Sequence, residues 1–163
     1  MDEIRKKAHQ YFSDSVAKKN INNFKEALEL IEKAINITPE VSLYWCTKAQ
    51  YQFDLGRFSY ALVSVEKAIE LKPRNFIAWG IKGLIKRNMG ECRQAAEAFI
   101  ESLKIKPDFN VYSLLSAVQL EFDSKAALQS AKKALELNPE WEEAQNLFKK
   151  AEKQIERDSP QVE

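Results

Sequence analysis

Apolar and polar residues alternate along this chain with the spacing of amphipathic helices, and prolines interrupt the pattern at regular intervals. Four related segments each join the end of one helical pattern to the start of the next: "EKAINITPEVSLYW", "EKAIELKPRNFIAW", "ESLKIKPDFNVYS" and "KKALELNPEWEEA". Their prolines, Pro39, Pro73, Pro107 and Pro139, are separated by 34, 34 and 32 residues. Proline cannot continue a helix, because it lacks the N–H donor and its ring clashes with the preceding turn. A fixed period of this length predicts an array of helical repeats.

Small side chains recur at three positions when each proline is placed at position 32 of a 34-residue repeat. Position 8 holds Ser15, Ala49, Gly83 and Ala117, position 20 holds Ala27, Ala61, Ala95 and Ala127, and position 27 holds Ala34, Ala68, Ser102 and Ala134. Small residues let two helix backbones approach closely, whereas larger ones would force them apart. Position 4 carries Tyr11, Trp45 and Trp79, which are expected to fill the space around the small residues.

A turn between two helices is predicted at position 15 of the first three repeats. Asn22, Gly56 and Gly90 occupy that position. Glycine, and after it asparagine, are the residues that end a helix in the left-handed conformation. Each repeat therefore reads as a helix, a tight turn, a second helix and a turn marked by proline.

This pattern resembles the tetratricopeptide repeat, which has an aromatic residue at position 4, small residues at 8, 20 and 27, and proline at 32. The resemblance implies an all-α, right-handed α-solenoid of helix-turn-helix repeats with a C-terminal capping helix. Repeats are expected at 8–41, 42–75, 76–109 and 110–141, after an extension of the first helix at 1–7. The fourth repeat is shortened near "EFDSKAA" and has Ser113 at position 4.

The segment 142–157 is predicted to be the capping helix, followed by a flexible tail at 158–163. Ala144, Phe148, Ala151 and Ile155 form a single apolar stripe there, which indicates a helix with one buried face. Lys149 stands where a small residue would admit a further helix. We therefore expect the array to end here, since a repeat array needs a polar outer surface.

Composition and charge narrow the function classes without selecting one. The chain has 25 basic and 24 acidic residues, a net charge of +1 at pH 7, so it offers no electrostatic case for nucleic acid or an anionic membrane. No stretch approaches the roughly 20 apolar residues that cross a bilayer, and the first residues lack the apolar core of a secretory signal. Two cysteines are too few for a disulfide framework, so a reduced, cytoplasmic setting is expected.

No residue pattern indicates catalysis, a cofactor or a metal site, and we predict that the protein is not an enzyme. The single histidine, His9, is better explained as a surface or groove residue than as a ligand or base. Cys92 takes the place of Phe24 and Phe58 in the repeat and is read as a core residue, and a redox pair with Cys46 is disfavoured. Basic residues of the third repeat are read as ordinary surface lysines and arginines.

The resemblance also implies a binding surface, because the first helices of such repeats line a concave groove with positions 2, 5, 9 and 12. The groove residues expected here are Phe12, Val16, Leu43, Cys46, Gln50, Phe53, Ile77, Leu84, Arg87, Val111, Leu114 and Val118. This lining is unusually apolar, and a large exposed apolar surface is typical of a binding site. An apolar or amphipathic helical segment of a partner protein fits such a groove.

Several functions stay open at this stage. The leading prediction is a protein-binding adaptor or scaffold, and the alternatives are a small dedicated chaperone that shields a client segment or a self-associating oligomer. RNA binding is disfavoured. The family's dicarboxylate clamp for the C-termini of heat-shock chaperones requires lysine, asparagine and arginine at five places. Phe12, Val16, Thr47, Ile77 and Ile81 stand there, so this mode is disfavoured too.

Overall fold

The computed structural model describes residues 2–158, and within that range it contains helices and turns but no strand. The helices are α1 (Asp2–Asn20), α2 (Phe24–Ile37), α3 (Ser42–Asp54), α4 (Phe58–Leu71), α5 (Phe76–Asn88), α6 (Cys92–Ile105), α7 (Phe109–Gln119), α8 (Ser124–Leu137) and α9 (Glu142–Asp158). The all-α prediction is confirmed. The chain divides into two compact units, unit 1 at Met1–Ile85 and unit 2 at Lys86–Glu163.

The small positions of the repeat lie in the core, as predicted. All four alanines at position 20 are fully buried, and so are the alanines at position 27. A further buried column lies at position 24, where Ile31, Val65 and Phe99 are each 0% exposed. In unit 1 these residues belong to two apolar clusters, one around Ile31 and one around Val65, and Trp45 packs against both. The helices of unit 1 are therefore joined by a continuous apolar contact.

The predicted tight turns adopt the left-handed conformation. The φ angles of Asn22, Gly56 and Gly90 are 59°, 71° and 80°. Asn22 is the one residue other than glycine with a positive φ within 2–158. Asparagine tolerates this region better than most residues, because its short polar side chain can hydrogen-bond locally. The turn that ends the first helix of each of these repeats is thus confirmed.

In the second and third repeats, the tryptophan at position 4 is hydrogen-bonded to the carbonyl of the proline that precedes it. Trp45 donates its indole N–H to the Pro39 carbonyl at 2.7 Å, and Trp79 donates to the Pro73 carbonyl at 2.8 Å. Gln145 makes the same bond to the Pro139 carbonyl at 2.8 Å, although it is not aromatic. The tryptophans therefore do more than fill space, since each also satisfies a carbonyl in the turn between repeats.

The fourth repeat has a different register from the predicted one. Helix α7 begins two residues after its proline, whereas α3 and α5 each begin three residues after theirs. A buried hydrogen bond fixes the alignment: Ser130 donates to Gln119 at 2.6 Å, as Ser64 donates to Gln52 at 2.6 Å. Gln119 is therefore the equivalent of Gln52, one residue earlier than the proline spacing indicates.

This shift changes which residues of α7 occupy the repeat positions. Tyr112, not Ser113, stands at position 4, so the fourth repeat keeps its aromatic residue. Ser116, not Ala117, stands at position 8, and Ser116 is fully buried while Ala117 is only half-buried. The fourth repeat is two residues shorter than the others. The prediction was wrong here because one of the two is missing before α7 and the other in the turn after it, rather than both in that turn.

Helix α9 has the one-sided character predicted for a capping helix. Ala144 and Ala151 are buried, Phe148 and Ile155 are half-buried, and Lys149 is exposed. The helix continues to Asp158, so the first residue assigned to the flexible tail is helical. The rest of that predicted tail, 159–163, lies outside the described residues.

Candidate functional site

The predicted groove residues of unit 1 lie at helical spacing on the first helices of three repeats. We call this surface the first-helix face. It comprises Phe12 and Val16 on α1, Leu43, Gln50 and Phe53 on α3, and Ile77 and Leu84 on α5. Residues spaced by three, four or seven positions share one side of a helix. Val16, Leu43 and Ile77 are 37%, 48% and 47% exposed, and the other four are half-buried.

Stacked rings link α1 to α3 beside this face. The rings of Phe12 and Tyr44 lie 5.2 Å apart at 25°, and the His9 ring stacks on Phe12 at 6.0 Å. Tyr44 is buried and belongs to the core, while His9 is exposed. Phe12 therefore joins the core to the surface, so its substitution would disturb both.

Cys46 does not reach the surface, although sequence analysis placed it in the groove. It is 2% exposed, and the Asn75 side chain donates to its Sγ at 3.3 Å and to the Ser42 hydroxyl at 3.0 Å. Burial raises the pKa of the Cys46 thiol to about 11, an effect that the hydrogen bonds from Asn75 and Ser42 oppose. Cys46 is therefore a neutral core residue, and the groove assignment is corrected.

At pH 8 we expect a thiol reagent to modify Cys92 in the folded protein and Cys46 only after unfolding, because the thiolate is the reactive form and Cys46 is buried and protonated. The folded pKa lies above the usual value of 9.0. The stability that comes from this neutral thiol is thus complete below about pH 9 and is lost as the pH rises toward 11. Disulfide-exchange labelling of the Cys92→Ser variant, with and without urea, measures the reactivity of Cys46. Fast labelling of Cys46 in the folded variant would contradict the prediction that it is protected.

The predicted groove residues of unit 2 differ in burial, and not all of them reach the surface. Val118 is 2% exposed, so it is a core residue and the prediction is corrected. Val111 and Leu114 are half-buried, and Arg87 is exposed. In the observed register, Asn110, Ser113 and Ala117 take the positions that had been assigned to Val111, Leu114 and Val118. The one-residue shift of α7 is the physical reason for the difference.

The places of the dicarboxylate clamp in unit 1 offer no lysine, arginine or asparagine side chain. Thr47 donates its hydroxyl to the Leu43 carbonyl at 3.0 Å, and Ile81 is only 8% exposed. Phe12 is engaged in the ring stack. Alkyl and aromatic groups cannot hold a carboxylate as a lysine or arginine does.

The lysines at position 7 belong to a repeated packing motif. Lys48 bonds Glu32 at 2.9 Å and lies over the Trp45 ring at 5.7 Å. Lys82 repeats this with Glu66 at 3.1 Å and Trp79 at 5.6 Å. Two consecutive repeats thus share a tryptophan–lysine–glutamate contact, which supports a structural explanation of these lysines.

A pocket of about 280 Å³, which the repeat pattern did not predict, lies between α6, α7 and α8 in unit 2. We call it the unit-2 pocket; Ile100, Leu103, Lys104, Tyr112, Gln119 and Lys133 are among its lining residues. The sequence feature that could have indicated this pocket is the change from tryptophan to Tyr112 at position 4. It was hidden because the proline spacing puts Ser113 there.

Within residues 2–158, no group of three or more His, Cys, Asp and Glu side chains could hold a metal ion. The same stretch contains no helix with the length and apolar character needed to cross a membrane.

Sequence comparison finds a known repeat in two segments of the chain. Residues 43–75 and 77–109 match the sequence model of the tetratricopeptide repeat. The predicted resemblance is confirmed for these two segments, which are tetratricopeptide repeats. No curated protein matches its sequence.

Solved structures share this helical-solenoid fold. A tetratricopeptide repeat protein from Parabacteroides merdae has a TM-score of 0.83 and 16% identity, over 93% of this chain and 61% of that one. YrrB, described as having an unusual peptide-binding site, has a TM-score of 0.76 and 20% identity, over 87% and 74%. The first TPR of Spaghetti (RPAP3), bound to the HSP90 peptide SRMEEVD, has a TM-score of 0.70 and 17% identity, over 71% and 95%. At these identities the likeness concerns the fold alone.

Proposed function

We propose that this protein is a non-enzymatic adaptor that binds an apolar or amphipathic helical segment of a partner protein along the first-helix face of unit 1. The observation that carries the proposal is the exposure of Val16, Leu43 and Ile77 on that face. Removing such side chains from water is favourable, and binding of a partner segment would bury them. Half-buried neighbours on the same helices extend the apolar surface.

The chemistry of the face supports binding rather than catalysis. Its most exposed groups are alkyl side chains, which cannot act as acid, base or nucleophile in a reaction. The tetratricopeptide repeats agree with a protein-binding role, and YrrB shows by its description that this fold can carry a peptide site. We place the protein in the reducing cytoplasm, in keeping with its two free cysteines.

The partner segment is expected to differ from an acidic chaperone tail. The clamp positions carry Thr47, whose hydroxyl is used within α3, and the buried Ile81. An amphipathic helix satisfies its own backbone groups and can turn an apolar stripe toward Leu43 and Ile77. The first-helix face therefore favours a helical segment over a carboxylate-rich one.

The double variant Leu43→Glu with Ile77→Glu is expected to weaken partner binding at least about tenfold, because two charges would have to be buried against an apolar segment. Partners are recovered by affinity purification from the native cell. The segment of the partner that binds is mapped and synthesised as a peptide, and the affinity of this peptide is measured by calorimetry. Circular dichroism must show unchanged helical content.

A matched control is available on α4. Tyr60 and Val63 are 68% and 67% exposed but lie on a second helix, so Tyr60→Glu with Val63→Glu adds the same charge elsewhere. This control should leave the peptide affinity unchanged. Equal loss in both double variants, or none in either, would count against the first-helix face. If the captured partner is a second copy of the chain, light scattering will show a dimer and the self-association alternative replaces the adaptor.

A further inference from the structure

The unit-2 pocket lies where the packing motif of the preceding repeats is interrupted. In the second and third repeats, a lysine at position 7 lies over the tryptophan at position 4 and forms an ion pair with a glutamate of the preceding repeat. In the observed register of the fourth repeat, Tyr112 replaces the tryptophan, Leu115 replaces the lysine, and Ile100 replaces the glutamate. These three side chains cannot form the ion pair, and all three line the pocket instead.

A buried polar side chain with unused donors also lines the pocket. Gln119 is only 8% exposed, and its Oε1 accepts a hydrogen bond from Ser130 at 2.6 Å. Its Nε2 has no hydrogen-bond partner among the residues that the structure describes. Nε2 is not among the fully buried atoms that lack a partner in the described residues, so it keeps contact with solvent and can donate to an acceptor in the pocket. The Gln119 amide thus points to an occupant that carries an oxygen acceptor.

The charged residues of the pocket wall are both lysines. Lys133 lies over the Tyr112 ring at 5.7 Å and pairs with no carboxylate in the described part of the chain. Lys104 bonds Glu101 at 2.6 Å, but Glu101 is not part of the lining. The remaining wall is largely apolar, with Ile100 and Leu115. The pocket therefore joins an apolar interior to a positively charged edge and an amide donor.

The volume limits the size of the occupant. About 280 Å³ lies just below the range of roughly 300–1,000 Å³ that is typical of small-molecule sites. It suits one large side chain or a compact small molecule. We propose that the unit-2 pocket binds a carboxylate carried directly on a compact apolar group. The C-terminal residue of a peptide that ends in phenylalanine or leucine has this chemistry, and so does a free small carboxylic acid. This site is independent of the first-helix face.

The test uses the full chain labelled with ¹⁵N and titrated with N-acetylphenylalanine, with its amide, and with a tetrapeptide that ends in phenylalanine. We expect the acid to shift the side-chain amide signals of Gln119, and the amide to bind at least about tenfold more weakly. The substitution Lys133→Gln should weaken the binding of N-acetylphenylalanine by about the same factor. The adjacent Lys132→Gln is the control, because Lys132 lies over the Phe148 ring and is not part of the lining.

A second variant tests the cavity itself. Ala126 lines the pocket, and Ala126→Phe should fill it and abolish the Gln119 shifts while helical content is retained. Equal affinity for the acid and the amide, absence of any shift, or equal loss in Lys132→Gln and Lys133→Gln would overturn the proposal. A tetrapeptide that binds more tightly than N-acetylphenylalanine identifies a peptide C-terminus as the ligand, and equal affinities identify a small acid.

Discussion

Replacing Phe99 with alanine is expected to lower the free energy of unfolding by about 3–5 kcal/mol, because the change removes a fully buried ring and leaves a cavity. Phe99 lies in the middle of α6 and is 0% exposed, with the buried Ala95 and Leu103 one turn away on either side. Its equivalents in the first two repeats, Ile31 and Val65, are also fully buried. The same position therefore anchors the second helix to the core in three repeats.

Urea unfolding followed by circular dichroism measures this effect, and the neighbouring Ile100→Ala is the control. Ile100 is 37% exposed, so the loss there should be clearly smaller than at Phe99. Phe99→Leu keeps most of the side-chain volume, so its loss in the free energy of unfolding should lie between those of Phe99→Ala and Ile100→Ala. If Phe99→Ala cost no more than Ile100→Ala, the ring would not pack in the core as described.

Replacing Ala61 with leucine is expected to cost about 1–3 kcal/mol, because a close-packed core cannot accept three more carbon atoms without moving a helix. Ala61 is 0% exposed and belongs to the cluster around Val65. Helix propensity cannot explain such a loss, since leucine is nearly as good a helix former as alanine. The result would show directly that position 20 requires a small side chain.

Ala17→Leu is the matched control, since Ala17 lies on α1 and is exposed. The same substitution there should change the free energy of unfolding by less than about 0.5 kcal/mol. Thermal or urea unfolding of both variants gives the comparison. A loss of similar size at the two sites would mean that leucine acts through the helix itself and not through packing.

The candidate site could be predicted only in outline. Leu43 and Ile77 were found from the repeat pattern, and they are indeed exposed on first helices. Cys46 occupies an equivalent side of α3 but is covered by the Asn75 side chain, a contact across 29 residues of sequence. Periodicity assigns a residue to a side of its helix, yet it does not say which neighbour from another repeat covers it.

The sequence by itself determined the elements of this protein, because their signals are local or strictly periodic. The prolines end the second helices, Gly56 and Gly90 end the first ones, and the alanines at positions 20 and 27 mark where backbones pack. Each of these follows from the conformational limits or the size of one residue, so it can be recognised without knowing its neighbours. The resulting helix-turn-helix repeats were correctly predicted.

Only the tertiary structure decided the register of the fourth repeat and what that register creates. A missing residue can be placed before or after α7 with the same sequence, and the buried bond between Ser130 and Gln119 selects one placement. That placement puts Tyr112 and Leu115 beside Ile100 and forms the unit-2 pocket. Burial and cavities depend on side chains that meet from different helices, and this is why no single segment of the sequence encodes them.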